Sequence, residues 1–204
     1  MTETLSPRAI LDRLVAFPTV SRDSNLPLID WVEHYLTGHG VTCQRHWNDT
    51  GDKAALFAHV GPQIEGGVVL SGHTDVRVTE RDGRLYGRGT ADMKGFDALA
   101  IWATVEAARR GVSRPLQLAL SYDEEIGCTG APPLIAAMAG LPKARDVIVG
   151  EPTMLGAVTG HKGGVTYSVH VHGFEVHSSI LHRGVSAIMW GAKLIEWANT
   201  VNDA

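Results

Sequence analysis

Four short polar segments of this chain carry side chains able to bind a metal ion and activate water. Three follow short apolar runs, and the fourth comes just before a long helical pattern. They contain His73 with Asp75, Asp92, Glu124 with Glu125, and Glu151. One neutral imidazole together with several carboxylates suits a divalent cation such as Zn²⁺. The sequence therefore predicts a metal centre built from separate loops.

The spacing inside two of these segments suggests distinct roles for neighbouring residues. His73 and Asp75 are two positions apart, so an extended backbone places both side chains on the same side. Asp75 is then able to orient a ligating His73. Glu124 and Glu125 are adjacent and point in different directions, so one can bind metal while the other moves protons.

A simpler interpretation exists for each segment taken alone. Runs of Asp and Glu are common on solvated surfaces, and Asp92 is suited to capping the helix that follows it. Four such segments, placed together at strand ends and at one helix start, favour the metal site over independent solvated acids.

Alternating strands and helices must position these segments, and they predict a layered α/β domain with a mixed sheet flanked by helices. Helical patterns cover 6–15, 25–36, 94–110, 133–138 and 185–197. Strand patterns cover 41–47, 53–60, 68–70, 115–120, 147–149 and 165–172.

The hydrophobic pattern of the sequence changes near 159, so we predict a metal-binding catalytic domain over 1–158. Residues 159–204 are then the start of a smaller α+β lid or dimerisation domain, too short to bury its own core comfortably.

Composition excludes several functional classes. Eighteen basic and 22 acidic residues give a net charge of −4, and the basic residues form no patch that would bind nucleic acid. No apolar run reaches the ~20 residues needed to span a bilayer, and the N-terminus has no signal-peptide pattern. Cys43 and Cys128 fit no metal or redox spacing, so we expect reduced thiols in a cytoplasmic protein.

The polar segments also resemble the signatures of a known family, the dinuclear zinc deacylases and aminopeptidases. The matching segments are Ser71-Gly72-His73-Thr74-Asp75, Gly87 to Gly95, Asp123-Glu124-Glu125-Ile126-Gly127-Cys128, and Gly150-Glu151-Pro152-Thr153. The segments Thr19 to Leu26 and His177-Ser178-Ser179 look most like the acetylornithine deacetylase branch.

This resemblance implies a role for each candidate residue. His73, Asp92 and Glu151 would hold one Zn²⁺ ion, and Asp92 would bridge to a second ion held by Glu125; Co²⁺ is an alternative metal. Glu124 would be the general base, and Asp75 would orient His73. His177 would reach the site of a neighbouring subunit as an oxyanion donor, although an exposed lid histidine is the simpler interpretation.

The same resemblance implies a substrate and an assembly. The expected reaction is hydrolysis of N²-acetyl-L-ornithine to L-ornithine and acetate, a step of arginine biosynthesis, by a homodimer joined through the lid. A broader N-acyl-amino-acid deacylase or a succinyl-diaminopimelate desuccinylase is the alternative within this chemistry. A non-catalytic relic, or a module that only dimerises, is the alternative from another class.

Two departures from the family pattern bear on activity. The segment 76–91 is shorter than in family members, and it precedes the expected bridging ligand Asp92. The chain also stops at Ala204, before the segment in which relatives supply a last histidine for the second metal. We therefore expect weak or no activity from these 204 residues unless another polypeptide completes them.

Overall fold

The computed structural model describes residues 3–74, 79–81, 84–86, 89–160 and 162–202. The chain divides into two compact units, Met1–Ala157 and Val158–Ala204. The first unit contains all seven strands found in the described residues. They are β1 Thr42–Trp47, β2 Ala54–Val60, β3 Gly67–His73, β4 Thr79–Arg81, β5 Arg84–Tyr86, β6 Leu116–Ser121 and β7 Ala144–Val149. The helices are α1 Pro7–Ala16, α2 Leu26–Gly38, α3 Gly95–Arg110, α4 Ala131–Ala137 and α5 Ala187–Asn202.

Five strands form one mixed sheet in the order β1-β2-β6-β3-β7. The pairs β1/β2 and β2/β6 are antiparallel, whereas β3 is parallel to both β6 and β7. The carboxyl ends of β6, β3 and β7 therefore meet at one edge of the sheet, where ligands collect in α/β folds. The remaining strands, β4 and β5, form a separate antiparallel hairpin.

Helices cover both faces of this sheet. A large apolar cluster joins α1, α2 and α3 to one face, through residues such as Ile10, Ile29 and Ile101. A smaller cluster places Leu134 of α4 against Phe57 and neighbouring side chains on the other face. The prediction of a layered α/β fold with a mixed sheet is confirmed.

Local signals in the sequence explain where the first helix begins. The Ser6 hydroxyl accepts a hydrogen bond from the Ala9 backbone N–H at 3.2 Å, and Pro7 is the first helical residue. A side-chain cap of this kind satisfies an N–H that the helix leaves unpaired, and proline is preformed for that position.

One predicted strand is wrong. In the described part of the second unit, residues 165–172 form no strand, and the only β pairing is an isolated bridge between Phe174 and Val185. Alternating polarity selects the two faces of a strand, but a strand also needs a neighbour to satisfy its backbone hydrogen bonds. No such neighbour is present there, and Val165, Tyr167 and Val169 are exposed.

The second unit, taken by itself, consists of a short 3₁₀ turn, Ser178–Arg183, and helix α5. No helix in the described ranges of the chain is both long enough and apolar enough to cross a membrane.

Candidate metal centre

His73, at the end of β3, faces three carboxylates that come from separate parts of the chain. Its Nε2 atom lies 3.2 Å from Asp92 Oδ1, 3.7 Å from Glu124 Oε2 and 3.8 Å from Glu151 Oε1. Potential ligand atoms of His73, Glu124 and Glu151 lie within 4.8 Å of one another. These distances allow a single cation to contact several of the four groups at once.

The side chains of this cluster differ in their exposure to solvent. The His73 side chain is 1% exposed, whereas the three carboxylates are 36–44% exposed. The imidazole therefore forms a buried floor, and the carboxylates form a rim that solvent and a substrate can reach. A site with an accessible side is typical of catalytic rather than structural metal centres.

The electrostatics of the cluster favour a cation. Burial raises the pKa of the Glu151 carboxyl, and the nearby negative charge of Asp92 raises this pKa further, while His73 opposes the shift. Carboxylates placed this close repel one another unless a proton or a positive ion lies between them. A divalent metal would relieve that repulsion, and one nitrogen with several oxygens is a suitable donor set for Zn²⁺.

The orientation of His73 indicates which of its nitrogen atoms would bind a metal. Nε2 faces the carboxylates, whereas Nδ1 is buried and has no hydrogen-bond partner among the described residues. A ligating imidazole usually donates its other N–H to a carboxylate or carbonyl. Asp75, which we predict for this role, lies outside the described residues, so its role stays a prediction.

Asp92 lies in an irregular turn, Thr90–Lys94, that leads into α3. The turn is fixed by Lys94, whose fully buried ammonium donates to the carbonyls of Leu14 at 3.1 Å and Phe17 at 2.9 Å. These carbonyls lie at the C-terminal end of α1, where unpaired oxygens and the helix dipole favour a cation. Lys94 thus connects the turn that carries Asp92 to the first helix.

Glu124 follows β6 in a turn that a buried ion pair holds. Asp123 has a left-handed backbone, with φ 56° and ψ 34°, and its carboxylate lies 2.5 Å from Lys53 Nζ. Lys53 also donates to the Ser21 carbonyl. The backbone N–H groups of Gly127 and Cys128 each donate to the Glu124 carbonyl at 3.0 Å. This network holds the backbone that carries the Glu124 side chain.

A second polar network fixes the backbone next to His73. The Asn25 side chain donates to the Ala54 carbonyl at 2.9 Å and to the Thr74 hydroxyl at 3.1 Å, and it accepts from the Ala54 N–H. The Thr74 N–H donates to the Ser121 carbonyl at 3.2 Å, which extends the pairing of β3 with β6 by one residue.

Glycines at two strand ends allow α3 to approach the sheet closely. A Cβ atom on Gly72 would lie 1.9 Å from Asp97 Oδ1, and one on Gly150 would lie 1.9 Å from the Phe96 ring. Any larger residue would push the start of α3 away from the loops that carry His73 and Glu151.

Two further predicted site residues, Glu125 and His177, are both exposed. Glu125 follows Glu124 in the same turn and is exposed. His177 lies in the second unit, where it is exposed and begins the 3₁₀ turn. Sequence reasoning missed Lys53 and Lys94, whose polar partners are 32 to 80 residues away in the chain.

A family model described as peptidase family M20/M25/M40 matches residues 68–198, which include all the residues of this cluster. The chain belongs to this family. Curated M20 relatives include an acetylornithine deacetylase of Myxococcus xanthus, 39% identical over 96% of this chain and 55% of its own length. Another is an acetylornithine deacetylase of Pasteurella multocida, 34% identical over 86% of this chain and 50% of its own length. The chain therefore spans about half the length of these M20 relatives.

Solved structures agree with the M20 assignment at the level of the fold. A tripeptidase from Staphylococcus aureus aligns with a TM-score of 0.63 at 18% identity, over 95% of this chain and 57% of its own. An M20 family metallo-carboxypeptidase from Sulfolobus solfataricus aligns with a TM-score of 0.60 at 19% identity, over 74% of this chain and 37% of its own.

Proposed function

We propose that this chain is the metal-binding part of an amidohydrolase that converts N²-acetyl-L-ornithine to L-ornithine and acetate, in the cytoplasm, as a step of arginine biosynthesis. The observation that carries the proposal is the placement of three carboxylates within 4 Å of the Nε2 atom of His73. The names of the M. xanthus and P. multocida relatives support the choice of substrate.

In this proposal the candidate residues have different tasks. His73, Asp92 and Glu151 would hold the first of two divalent ions, Zn²⁺ or Co²⁺, and Asp92 together with Glu125 would hold the second. When bound, these ions activate water and polarise the amide carbonyl of the substrate. Asp75 orients His73.

Glu124 is the proton carrier. A carboxylate near the attacking water accepts its proton and then delivers that proton to the nitrogen of the departing amine. The Glu124 side chain is partly exposed and belongs to a turn that Lys53 and Asp123 hold, so it reaches the reacting atoms from a fixed backbone.

The proposed assembly is a homodimer formed through the second unit. His177 of one subunit then donates a hydrogen bond to the oxyanion that develops on the substrate carbonyl in the other subunit. This arrangement requires an N–H of His177 that is free to point away from its own turn.

A chimera tests the substrate. It joins this chain to the portion of the M. xanthus relative that the chain does not span, and it is screened against N-acetyl and N-succinyl amino acids in the presence of Zn²⁺. We expect N²-acetyl-L-ornithine to be the preferred substrate and the 204-residue chain alone to be far slower. Preference for another N-acyl amino acid, or for N-succinyl-diaminopimelate, would show that the proposed substrate is wrong.

The general base is tested in the same chimera. Glu124→Gln should lower kcat by about 10²–10⁴-fold with its zinc content unchanged, because only proton transfer is lost. Asp92→Ala should lose both ions. Equal loss of zinc in the two variants would contradict the division of roles between Glu124 and Asp92.

Metal stoichiometry distinguishes this proposal from the non-catalytic alternatives. Two tightly bound Zn²⁺ ions per chain support a working site, and one ion supports a half-site of His73, Asp92 and Glu151. A chain that binds none would be a relic or a dimerising module.

A further inference from the structure

The ring of His177 caps its own turn. Its Nδ1 atom accepts a hydrogen bond from the backbone N–H of Ser179 at 3.2 Å. The hydroxyl oxygen of Ser179 lies 2.8 Å from the same Nδ1 atom. The backbone N–H and the hydroxyl of Ser179 therefore converge on one nitrogen of the imidazole.

This geometry determines where the imidazole proton lies. A backbone N–H can only donate, so Nδ1 must carry a lone pair, and the Ser179 hydroxyl must then also donate to it. A neutral imidazole that accepts at Nδ1 carries its proton on Nε2. The opposite tautomer would place two N–H groups against each other, and the backbone N–H is unable to rotate away.

We propose that Ser179 holds His177 in the Nε2–H tautomer, so that this histidine presents an N–H donor outward from the turn. Ser179 is a positioning residue, since it acts through His177 and not on a substrate. The use of that N–H as an oxyanion donor rests on the proposed function, whereas the tautomer itself follows from the capping geometry alone.

The adjacent serine provides a matched control. Ser178 is also exposed and lies in the same turn, but no hydrogen bond joins its side chain to the His177 ring among the contacts of the described residues. Ser178→Ala and Ser179→Ala therefore delete the same atom from neighbouring positions, and only the second removes a donor to Nδ1.

The test is ¹⁵N NMR of the histidine rings in the 204-residue chain at about pH 9, where free imidazoles are neutral. The His177 signals are assigned by their loss in His177→Asn. We expect a protonated Nε2 and an unprotonated Nδ1 in the unsubstituted chain and in Ser178→Ala. Ser179→Ala should lower the ratio of the Nε2–H to the Nδ1–H tautomer by about fivefold, which corresponds to ~1 kcal/mol for one lost hydrogen bond.

A predominant Nδ1–H form in the unsubstituted chain would overturn the proposal, even if Ser179→Ala did not fold. An equal shift in the two serine variants would overturn it as well. The measurement needs no metal and no substrate, so loss of zinc binding or of hydrolysis would refute the proposed function without changing this result. In the chimera, Ser179→Ala should then lower kcat more than it raises KM, because an oxyanion donor acts mainly in the transition state.

Discussion

At the scale of single residues, the carboxylate of Asp123 and the ammonium of Lys53 form a mostly buried pair beside the candidate metal centre. Replacing a buried pair as a whole is often tolerated, but removing one partner leaves an uncompensated charge. Because Asp123 directly precedes Glu124, the pair also holds the backbone next to the proposed general base.

We predict that Lys53→Ala lowers the free energy of unfolding by about 3–5 kcal/mol, since Asp123 then remains buried and charged without a partner. Urea denaturation measures this loss. Lys143→Ala, at an exposed lysine of the same unit, is the control and should stay within about 0.5 kcal/mol of the parent. Similar losses in the two variants would show that the buried pair is unimportant.

The two cysteines should differ in reactivity. Burial raises the pKa of the Cys43 thiol to about 12, with Glu33 adding to the shift and Arg45 opposing it. Because the thiolate is the reactive form, Cys43 stays unreactive until the pH approaches that value or the chain unfolds. Cys128 is exposed.

Iodoacetamide at pH 8, followed by mass spectrometry, should therefore label Cys128 in the folded chain and both cysteines in urea. Cys128→Ser should leave almost no labelling of the folded chain. Labelling of Cys43 as fast as Cys128 under native conditions would contradict the burial that raises its pKa.

At the scale of elements, the site depends on how closely α3 approaches the ends of β3 and β7. Gly72 contacts Asp97, and Gly150 contacts Phe96, at distances that leave no room for a Cβ atom. The backbone after each of these glycines leads directly to His73 and Glu151, so a shift of α3 would move two candidate ligands.

Gly72→Ala should destabilise the chain by about 1–3 kcal/mol through overpacking and should weaken zinc binding. Gly140→Ala is the matched control, because a Cβ atom there meets nothing within 4 Å. Thermal unfolding with and without zinc measures both effects. If the two variants had the same stability and zinc affinity, the close approach of α3 would not be what positions the ligands.

The predictable parts of the fold are those that local patterns determine. Ser6-Pro7 marked the start of α1, and apolar runs marked β2 and β6, because capping and periodicity act within a few residues. The pattern at 165–172 was misleading, because alternation alone does not reveal whether a partner strand exists.

The candidate site, like the fold, could be predicted only where local patterns indicate it. Polar residues placed just after apolar strands indicated His73, Glu124 and Glu151, since parallel strands end at a common edge. Lys53 and Lys94 carry no such signal. Their partners are distant in sequence, and the sequence alone does not indicate which lysines are buried in the tertiary fold.

At the scale of the whole molecule, the acidic centre of this chain, whose net charge is −4, needs a cation to organise it. The described ligand candidates come from β3, the turn before α3, the turn after β6 and the loop after β7. A metal that binds only the folded state stabilises it by about 2.7 kcal/mol when its free concentration is 100 times Kd. Zinc should therefore stabilise the first unit as a whole.

We expect His73 Nε2 and its surrounding carboxylates to form a metal centre, and a zinc competition titration against a chromogenic chelator measures whether they do. The purified chain should bind zinc tightly, and His73→Ala should weaken zinc binding by more than about 100-fold. Loss of a residue that only hydrogen-bonds to a metal ligand already lowers metal affinity by about 10–100-fold, and loss of the ligand itself should lower it further. His170→Ala, at an exposed histidine of the second unit, should leave the affinity unchanged. Equal zinc affinity in the parent chain and in His73→Ala would contradict the account.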